Sequence, residues 1–409
     1  MSALRGMVKS LLPQRVLEGY RDWRAHAELN PLARELKARD AGPLPADPGN
    51  DAAIAAMTQW LCDAQDGSAS HDGGFARHYD PRSGWSPSYP ETTGYIVPTL
   101  IDESLRTGNA ALAERARRAT DWLCDIQFDD GAFQGGMITE LPKARVTFNT
   151  GQILLGLAAS AKHFDDARYR EAARRAAQWL VDTQDEDGAW RRFGSPFTEQ
   201  GEKAYETHVS WGLLEADRVV PGHGFGAAAL RQIGWALTKQ DAGNGWFADN
   251  CLARPDAPLT HTIGYVLRGV VEGYRHTPEP RLLAAANATA AAIAAIVAPD
   301  GRLAGRLTNR WDAAVDWVCL TGTVQIAHSF LLLDALNGDN RLGDTARRMN
   351  AYVRRTVRLD GPVGVRGGVK GSHPIQGGYG HFEYLNWAAK FAIDSFRLEQ
   401  ESFSHVQSP

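Results

Sequence analysis

The chain has 409 residues, of which 44% are hydrophobic and 22% charged, and its formal net charge at pH 7 is -4. These values fit a globular protein with a sizeable core and exclude the basic surface of a nucleic-acid-binding protein. No apolar run approaches the roughly 20 residues that span a bilayer, so no transmembrane helix is predicted. We therefore expect a cytoplasmic protein without a nucleic-acid partner.

The first segment, residues 1–48, is predicted to form a helical extension. Residues 1–12 carry Arg5 and Lys9 beside leucine, methionine and valine, which makes the segment weakly amphipathic and basic. It is too short and too polar for a secretory signal. We expect residues 1–20 to pack on the rest of the protein. The alternative is a weak contact with a membrane surface, which would make the protein membrane-peripheral.

A marker sequence recurs roughly every 60 residues after this extension. In each copy a glutamine that ends an amphipathic stretch is followed by a glycine-containing turn and an aromatic residue. The three clearest copies are Gln127…Asp130-Gly131-Ala132-Phe133, Gln184…Asp187-Gly188-Ala189-Trp190 and Gln240…Gly245-Trp246. A looser copy is Gln65…Asp72-Gly73-Gly74-Phe75, and two degenerate copies are Asp300-Gly301 and Asp360-Gly361. Such a period indicates a repeat architecture.

Each turn joins two predicted helices. The first helices are predicted at 51–65, 109–127, 166–184, 224–240, 279–298 and 340–358, and three of them, at 109–127, 166–184 and 340–358, are rich in arginine. The second helices, more apolar, are predicted at 91–106, 148–163, 207–218, 261–275, 321–337 and 383–397. Less polar helices belong inside, so we predict an all-α fold, an (α/α)6 toroid over residues 49–398 followed by a flexible tail at 399–409. An open solenoid is the alternative, but it would expose the apolar inner helices.

The turns resemble the QW-type repeats of squalene and terpene cyclases and of protein prenyltransferase β subunits. The plan of six hairpins, which covers residues 51–397, is similar to that of six-hairpin glycosidases, toroidal polysaccharide lyases and related sugar epimerases. The resemblance rests on a structural motif, so it implies a fold, while the reaction has to come from the residues of the site.

The inner helices align with one another and place polar and aromatic residues in shared columns near their N-termini. One column holds Tyr95, Gln152, Trp211, Tyr265, Gln325 and Trp387. Four residues earlier stand Glu91, Phe148, Thr207, His261, Thr321 and Glu383. Beside that column come Thr92, Asn149, His208, Thr262, Gly322 and Tyr384. In a toroid these residues face one mouth of the barrel, and aromatic faces beside amides, carboxylates and imidazoles suit a sugar ring.

Two sets of these residues could carry acid–base chemistry. Glu91 and Glu383 stand in the first and last repeats, which become neighbours if the ring closes, and paired carboxylates hydrolyse glycosidic bonds. The alternative is that they cap helices or bind arginine. The second set could neutralise a uronate and remove its α-proton, and it comprises His208, His261, Tyr205, Tyr265, Asn149 and Arg310.

Three loops are predicted to contact substrate because they are long and lack regular structure. The loop at 85–90 contributes Tyr89, and the loop at 306–312, with the residues just after it, contributes Arg310, Trp311 and Asp316. The glycine-rich segment 364–381 contributes Tyr379 and His381. Tyr384 follows this segment.

The sequence therefore predicts a glycan-active enzyme of the glycosidase, uronate lyase or epimerase type. Its substrate would be a polysaccharide or a lipid-linked oligosaccharide, and the role considered is in exopolysaccharide metabolism. One alternative is an isoprenoid enzyme related to terpene cyclases or prenyltransferases, although no Asp-x-Asp-Asp motif occurs. Another is a glycan-binding protein without catalysis. No cofactor or metal is predicted, since the four cysteines form no CxxC pair. The sequence predicts no oligomeric state.

Overall fold

The computed structural model describes residues 29–196 and 198–406. The helices in these ranges are α1 (Pro31–Asp40), α2 (Asn50–Asp66), α3 (Pro90–Thr107), α4 (Ala110–Ile126), α5 (Thr147–Phe164), α6 (Ala167–Thr183), α7 (Thr207–Val219), α8 (Phe225–Leu237), α9 (Thr260–His276), α10 (Pro280–Ile296), α11 (Leu320–Asn337), α12 (Gly343–Arg354) and α13 (Asn386–Val406). Short strands between them are β1 (His78–Asp80), β2 (Gly84–Trp85), β3 (Val318–Cys319), β4 (Ser372–His373) and β5 (Tyr384–Leu385).

The helices alternate between an outer and an inner ring. From α2 onward each even-numbered helix is outer and each odd-numbered helix is inner. Each inner helix contacts the next one, and α13 contacts α3, so the inner ring is closed. The predicted all-α (α/α)6 toroid is therefore confirmed, and the open solenoid is excluded. No helix in the described ranges is long and apolar enough to cross a membrane.

The two rings differ in how much of each helix is buried. The inner helix α5 buries residues on all sides, including Ile153, Leu154 and Leu157. The outer helix α6 buries a single stripe that includes Ala173 and Ala177, and its arginines lie on the other face. A helix that is apolar all round needs partners all round, which explains why α5 belongs to the inner ring.

The repeated glutamine fastens each hairpin to the next. Gln127 Nε2 donates to Gly131 O in its own turn (2.9 Å) and to Ala172 O on the outer helix of the following repeat (3.0 Å). Gln65, Gln184 and Gln240 make the same two kinds of bond. Gly131 has a φ of 97°, and a Cβ there would lie 2.4 Å from Arg175 O on that same helix. The marker sequence is thus a contact between repeats.

Replacing Gln184 by leucine should therefore destabilise the ring. We expect the free energy of unfolding to fall by about 1–3 kcal/mol, because the side chain loses its bonds to Gly188 O and Ala228 O. Urea denaturation would measure it. The control is Gln178→Leu on α6, the helix that ends just before Gln184, since the Gln178 amide donates to the exposed Asp182. Equal effects of both changes would contradict this role for Gln184.

The ring closes where the sixth repeat meets the first. Strand β5 pairs with β1, with Leu385 opposite His78 and Tyr384 opposite Tyr79. Because Tyr384 and Leu385 are extended, the last inner helix begins at Asn386 and not at 383 as predicted. Glu383 therefore precedes a strand and does not stand in the first turn of a helix.

Charged residues hold both terminal segments of the described chain against the toroid. Helix α1 of the extension is held by Lys370, which bonds Asp40 at 2.5 Å, and by Arg358, which bonds Glu35 at 2.8 Å. Helix α13 runs through most of the segment 399–409 that was predicted to be a flexible tail and ends at Val406. Residues 407–409 lie outside the described residues, and the flexibility of the tail stays a prediction. Buried Glu399 extends the helix by pairing with Arg354 at 3.1 Å. The predicted membrane contact of residues 1–20 lies outside the described residues.

Candidate active site

A cavity of about 260 Å³ opens among the N-termini of the inner helices, at the mouth predicted from the residue columns. The predicted site residues that line it are Tyr89, Glu91, Tyr95, Asn149, Tyr205, His261, Tyr265, Tyr379 and Trp387. They come from α3, α5, α9 and α13, from the segments before α3 and α7, and from the loop before β5. The closed ring therefore brings residues that are almost 300 positions apart in sequence to one site.

Glu91 is a buried carboxyl group in the wall of this cavity, and its pKa is raised. It lies in the first turn of α3 and is 8% exposed. Burial raises its pKa to about 7, although a bond from the Tyr89 hydroxyl (2.7 Å) and the charge of Arg77 act in the opposite direction. At neutral pH both protonation states are populated, so this carboxyl can donate or accept a proton.

The predicted pairing of Glu383 with Glu91 as facing catalytic carboxylates stays a prediction. The Glu383 carboxylate accepts a 2.9 Å bond from Arg77, and Glu383 is not among the residues that line the cavity. Of the two roles considered from sequence, the structure shows arginine binding. Arg77 itself lines the cavity and lies 5.1 Å from the centre of the Trp387 ring. Glu383 thus holds a cation at the site.

His261 presents a neutral imidazole to the cavity. It is 5% exposed, and burial lowers its pKa to about 4. Its Nδ1 lies 2.7 Å from Gln325 Oε1 on the neighbouring inner helix. An amide oxygen only accepts hydrogen bonds, so Nδ1 carries the proton and Nε2 keeps a free lone pair. The ring lies 4.4 Å from that of Tyr265 and 5.3 Å from that of Tyr379.

His208 makes the same contact one repeat earlier but does not line the cavity. Its Nδ1 lies 2.6 Å from Gln152 Oε1, and the residue is 1% exposed. Burial lowers its pKa well below the usual value, so it is neutral. His208 stands one residue out of register with His261, and one residue turns a side chain by about 100° around a helix. It consequently packs behind the cavity wall, against Tyr265.

Five tyrosines give the cavity neutral hydroxyl groups. Burial raises the pKa of Tyr89, Tyr95, Tyr205, Tyr265 and Tyr379 well above 10, so each phenol stays protonated. Such hydroxyls both donate and accept hydrogen bonds, and their rings offer apolar faces. This combination matches the alternating polar and apolar surface of a sugar.

The other members of the predicted aromatic and amide column support the wall from behind. Gln152 and Gln325 orient the two histidines, as described above. Trp211 donates from Nε1 to Glu215 (3.0 Å), and the Arg268 guanidinium lies 4.1 Å from its ring centre. None of these three lines the cavity.

The remaining loop residues predicted to contact substrate lie elsewhere. The side chain of Arg310 is 86% exposed, and Asp316 and His381 are also exposed. Trp311 donates from Nε1 to Asn244 O (3.0 Å) and packs on another tryptophan ring. Tyr384 is buried beside Lys370, outside the cavity. Whether any of them contacts a substrate stays a prediction.

One loop and a carboxyl group at the cavity were not predicted from the sequence. The connection from the third Asp-Gly turn to α7 contributes Arg191 and Lys203, and Glu206 follows it. Glu206 is 4% exposed, its Oε2 has no hydrogen-bond partner, and burial raises its pKa well above 4.5. The length of this connection could have indicated a role at the site, because it is comparable to that of the other loops predicted to contact substrate.

No protein-family model and no curated protein matches the sequence. Similar solved structures include an unsaturated glucuronyl hydrolase specific for heparin, which is 16% identical with a TM-score of 0.69 over 87% of this chain and 99% of that chain. Cellobiose 2-epimerase from Bacillus thermoamylovorans is 14% identical with a TM-score of 0.67 over 84% and 96%. A D-mannose isomerase is 12% identical with a TM-score of 0.68 over 88% and 100%. At these identities the likeness shows the fold, which is the (α/α)6 toroid of six helical hairpins.

Proposed function

We propose that the protein is a carbohydrate-active enzyme that transfers protons at a single sugar ring. Glu91 is the proton donor and His261 the proton acceptor. The observation that carries the proposal is that a carboxyl with a pKa of about 7 and an imidazole with a pKa of about 4 line the same cavity. At neutral pH the carboxyl is partly protonated and the imidazole is free to accept, which is how an acid and a base divide their roles.

The size and lining of the cavity favour a sugar over the alternatives. Its volume of about 260 Å³ suits one ring more than a long chain. Tyr95, Tyr265 and Trp387 supply aromatic faces, whereas Asn149 supplies an amide, and a site for an isoprenoid chain would lack such polar groups. The similar solved structures act on carbohydrates according to their names, which agrees with this proposal.

The cationic groups at the cavity indicate that the sugar carries a carboxylate. Arg77, Arg191 and Lys203 line the same space as Glu91. Arg191 is already paired with three carboxylates of the protein, so Arg77 and Lys203 are the groups that indicate a carboxylate. Arg77 lies on the side of Tyr89 and Trp387, since its charge acts on the Tyr89 phenol and its guanidinium lies over the Trp387 ring. Guanidinium groups bind carboxylates in a fixed geometry, so Arg77 would orient a uronate against Glu91.

The same two groups serve more than one reaction. In isomerisation, His261 Nε2 takes the proton from a carbon beside a carbonyl while Glu91 gives its proton to the carbonyl oxygen, which forms an enediol. Glu91 then takes the proton of the other enediol hydroxyl while His261 returns its proton to the former carbonyl carbon. Epimerisation differs in that the proton returns to the opposite face of the carbon that lost it. In hydrolysis, Glu91 protonates the departing oxygen while His261 takes a proton from the attacking water. Epimerisation and isomerisation need no further reactant, and hydrolysis needs only water.

Incubation with neutral and uronate-containing sugars in D2O would test the proposal and separate these reactions. Solvent deuterium bound to carbon, read by NMR, would mean epimerisation or isomerisation. New reducing ends without such exchange would mean hydrolysis, and absorbance from an unsaturated uronate would mean elimination. If no sugar in a broad panel changed, the proposal of a carbohydrate-active enzyme would be wrong.

Replacing Tyr89 by phenylalanine should shift the pH dependence of the reaction. The Tyr89 hydroxyl stabilises the ionised form of Glu91, so its loss raises the pKa of Glu91 above about 7. A lost hydrogen bond to a charged group corresponds to a shift of roughly one pH unit. We expect activity to persist to a higher pH by about that amount. A pH profile of kcat/KM that keeps its alkaline limb in place would contradict the assigned role of Glu91.

A further inference from the structure

A second pocket lies on the side of the toroid where helix α1 packs. It has a volume of about 120 Å³ and is walled by α1, by the residues after α12 and by the segment that leads into β4. The acidic and basic side chains that line it are Arg39, Asp40, Arg355, Arg358, Lys370 and His373. It has no lining residue in common with the candidate active site.

The only carboxylate among these lining groups is already bonded within the protein. Asp40 Oδ1 accepts from Lys370 Nζ (2.5 Å), and Oδ2 accepts from the backbone amide of Ile375 (2.7 Å). The His373 ring lies 3.6 Å from Oδ2. Asp40 therefore balances Lys370 and has no further charge to offer the arginines.

The three arginines are incompletely balanced by other carboxylates. Arg358 pairs with Glu35 and Asp360, but these are 55% and 76% exposed, so solvent screens them. Arg355 donates to the carbonyl oxygens of Pro45 (2.7 Å) and Leu44 (3.0 Å) and forms no ion pair in the described part of the chain. Arg39, at the rim, forms none with the described residues either. The pocket thus carries an excess of positive charge.

This excess lies beside a buried ammonium group. Lys370 is 5% exposed, and its pKa is lowered by burial and, more weakly, by the charges of Arg39 and Arg358. Like charges gathered around a buried ammonium raise the free energy of the empty pocket, and an anion would lower it. Planar guanidinium donors beside a compact ammonium are the groups that bind phosphate oxygens.

We propose that this pocket binds a phosphate group, and that Arg39 and Arg355 supply the main contacts. The volume admits one tetrahedral oxyanion in place of a few water molecules, each of which takes about 30 Å³. The phosphate belongs to a small soluble ester or to the headgroup of an anionic lipid, since both present the same oxygens. The proposal does not depend on the reaction at the candidate active site.

Calorimetric titration of the full chain with inorganic phosphate, at ionic strength held constant with chloride, tests this. We expect saturable binding that weakens about tenfold or more in Arg39→Gln and in Arg355→Gln, because each loses a charge-assisted hydrogen bond. The control is Arg341→Gln, which removes an exposed arginine that does not line the pocket and should bind like the wild type. Urea unfolding checks that the variants fold. If Arg355→Gln does not fold, the phosphate affinity of Arg39→Gln alone tests the proposal, because Arg39 is exposed.

Two further arms identify the site and the source of the phosphate. Arg191→Gln removes a cation from the active-site cavity, so binding lost only in that variant would place the phosphate there and overturn the proposal. Sedimentation with phosphatidylcholine vesicles, with and without phosphatidic acid, tests the lipid headgroup. Vesicle binding that requires phosphatidic acid and that Arg39→Gln weakens supports a lipid headgroup as the source of the phosphate. Absence of phosphate binding, together with vesicle binding that Arg39→Gln leaves unchanged, overturns the proposal.

Discussion

Replacing Glu91 by glutamine is expected to lower kcat/KM by about 10²–10⁴-fold on the sugar that the panel identifies. Glutamine has nearly the same shape and can still accept the Tyr89 hydrogen bond through its amide oxygen, but it cannot transfer a proton. Substrate binding should change little because the cavity keeps its form. Steady-state kinetics separate the two effects, with the loss expected in kcat.

The wild-type pH profile provides a second measurement of the same role. His261 accepts a proton only when neutral, so activity should fall as the pH drops through about 4. Glu91 donates only when protonated, so activity should also fall as the pH rises through about 7. A bell-shaped profile between these values follows. A rate that stays constant from pH 5 to pH 9 would contradict the assignment of Glu91 as the acid.

Glu383→Gln is the matched control for Glu91→Gln. It removes a carboxylate of the same column, but one that bonds Arg77 and does not line the cavity. We expect a loss of about tenfold or less, through poorer orientation of Arg77. A loss as large as that of Glu91→Gln would support the pair of catalytic carboxylates suggested by the sequence.

Replacing His261 by glutamine should have the second large effect. The variant loses the Nε2 lone pair that accepts the proton, so kcat should fall by about 10²–10⁴-fold. Gln325 would still find a hydrogen-bond partner in the new amide, so the free energy of unfolding should change little. Kinetics and urea denaturation measured on the same sample would show this combination.

His208→Gln is the natural comparison because His208 makes the same bond to a glutamine of the adjacent inner helix. It packs behind the wall and does not reach the cavity. We expect reduced stability from disturbed packing against Tyr265 and Trp211, with kcat within about tenfold of the wild type. If the two histidine variants lost the same activity, proton transfer could not be assigned to His261 alone.

The sequence predicted the ring and the mouth because both depend on local periodicity. The glutamine of each turn recurs with the hairpin, and its bonds join the turn to the next outer helix, so the repeat in the sequence corresponds to a repeat in the structure. Glu91, His261 and Tyr265 line the cavity because the columns give the correct face of each helix.

The sequence did not predict features that depend on distant contacts. Glu383 was placed in a helix, but pairing of β5 with β1, some 300 residues away, makes the preceding segment extended. His208 and His261 look equivalent as adjacent histidines, and only the exact rotation of each helix separates them. Glu206 and the loop before it have no periodic pattern, so their approach to the cavity depends on the fold of the whole ring.

The bonds that close the ring also bring together its first and last helices. Asp51, at the start of the first outer helix, accepts a 2.6 Å bond from Gln400 near the end of the last inner helix. Asn50 lies 3.4 Å from Glu399 in the same place. A short peptide could join these positions, and new ends could be opened at an exposed turn between hairpins. The candidate active site depends on the cyclic order of the hairpins, which a circular permutation of this kind preserves.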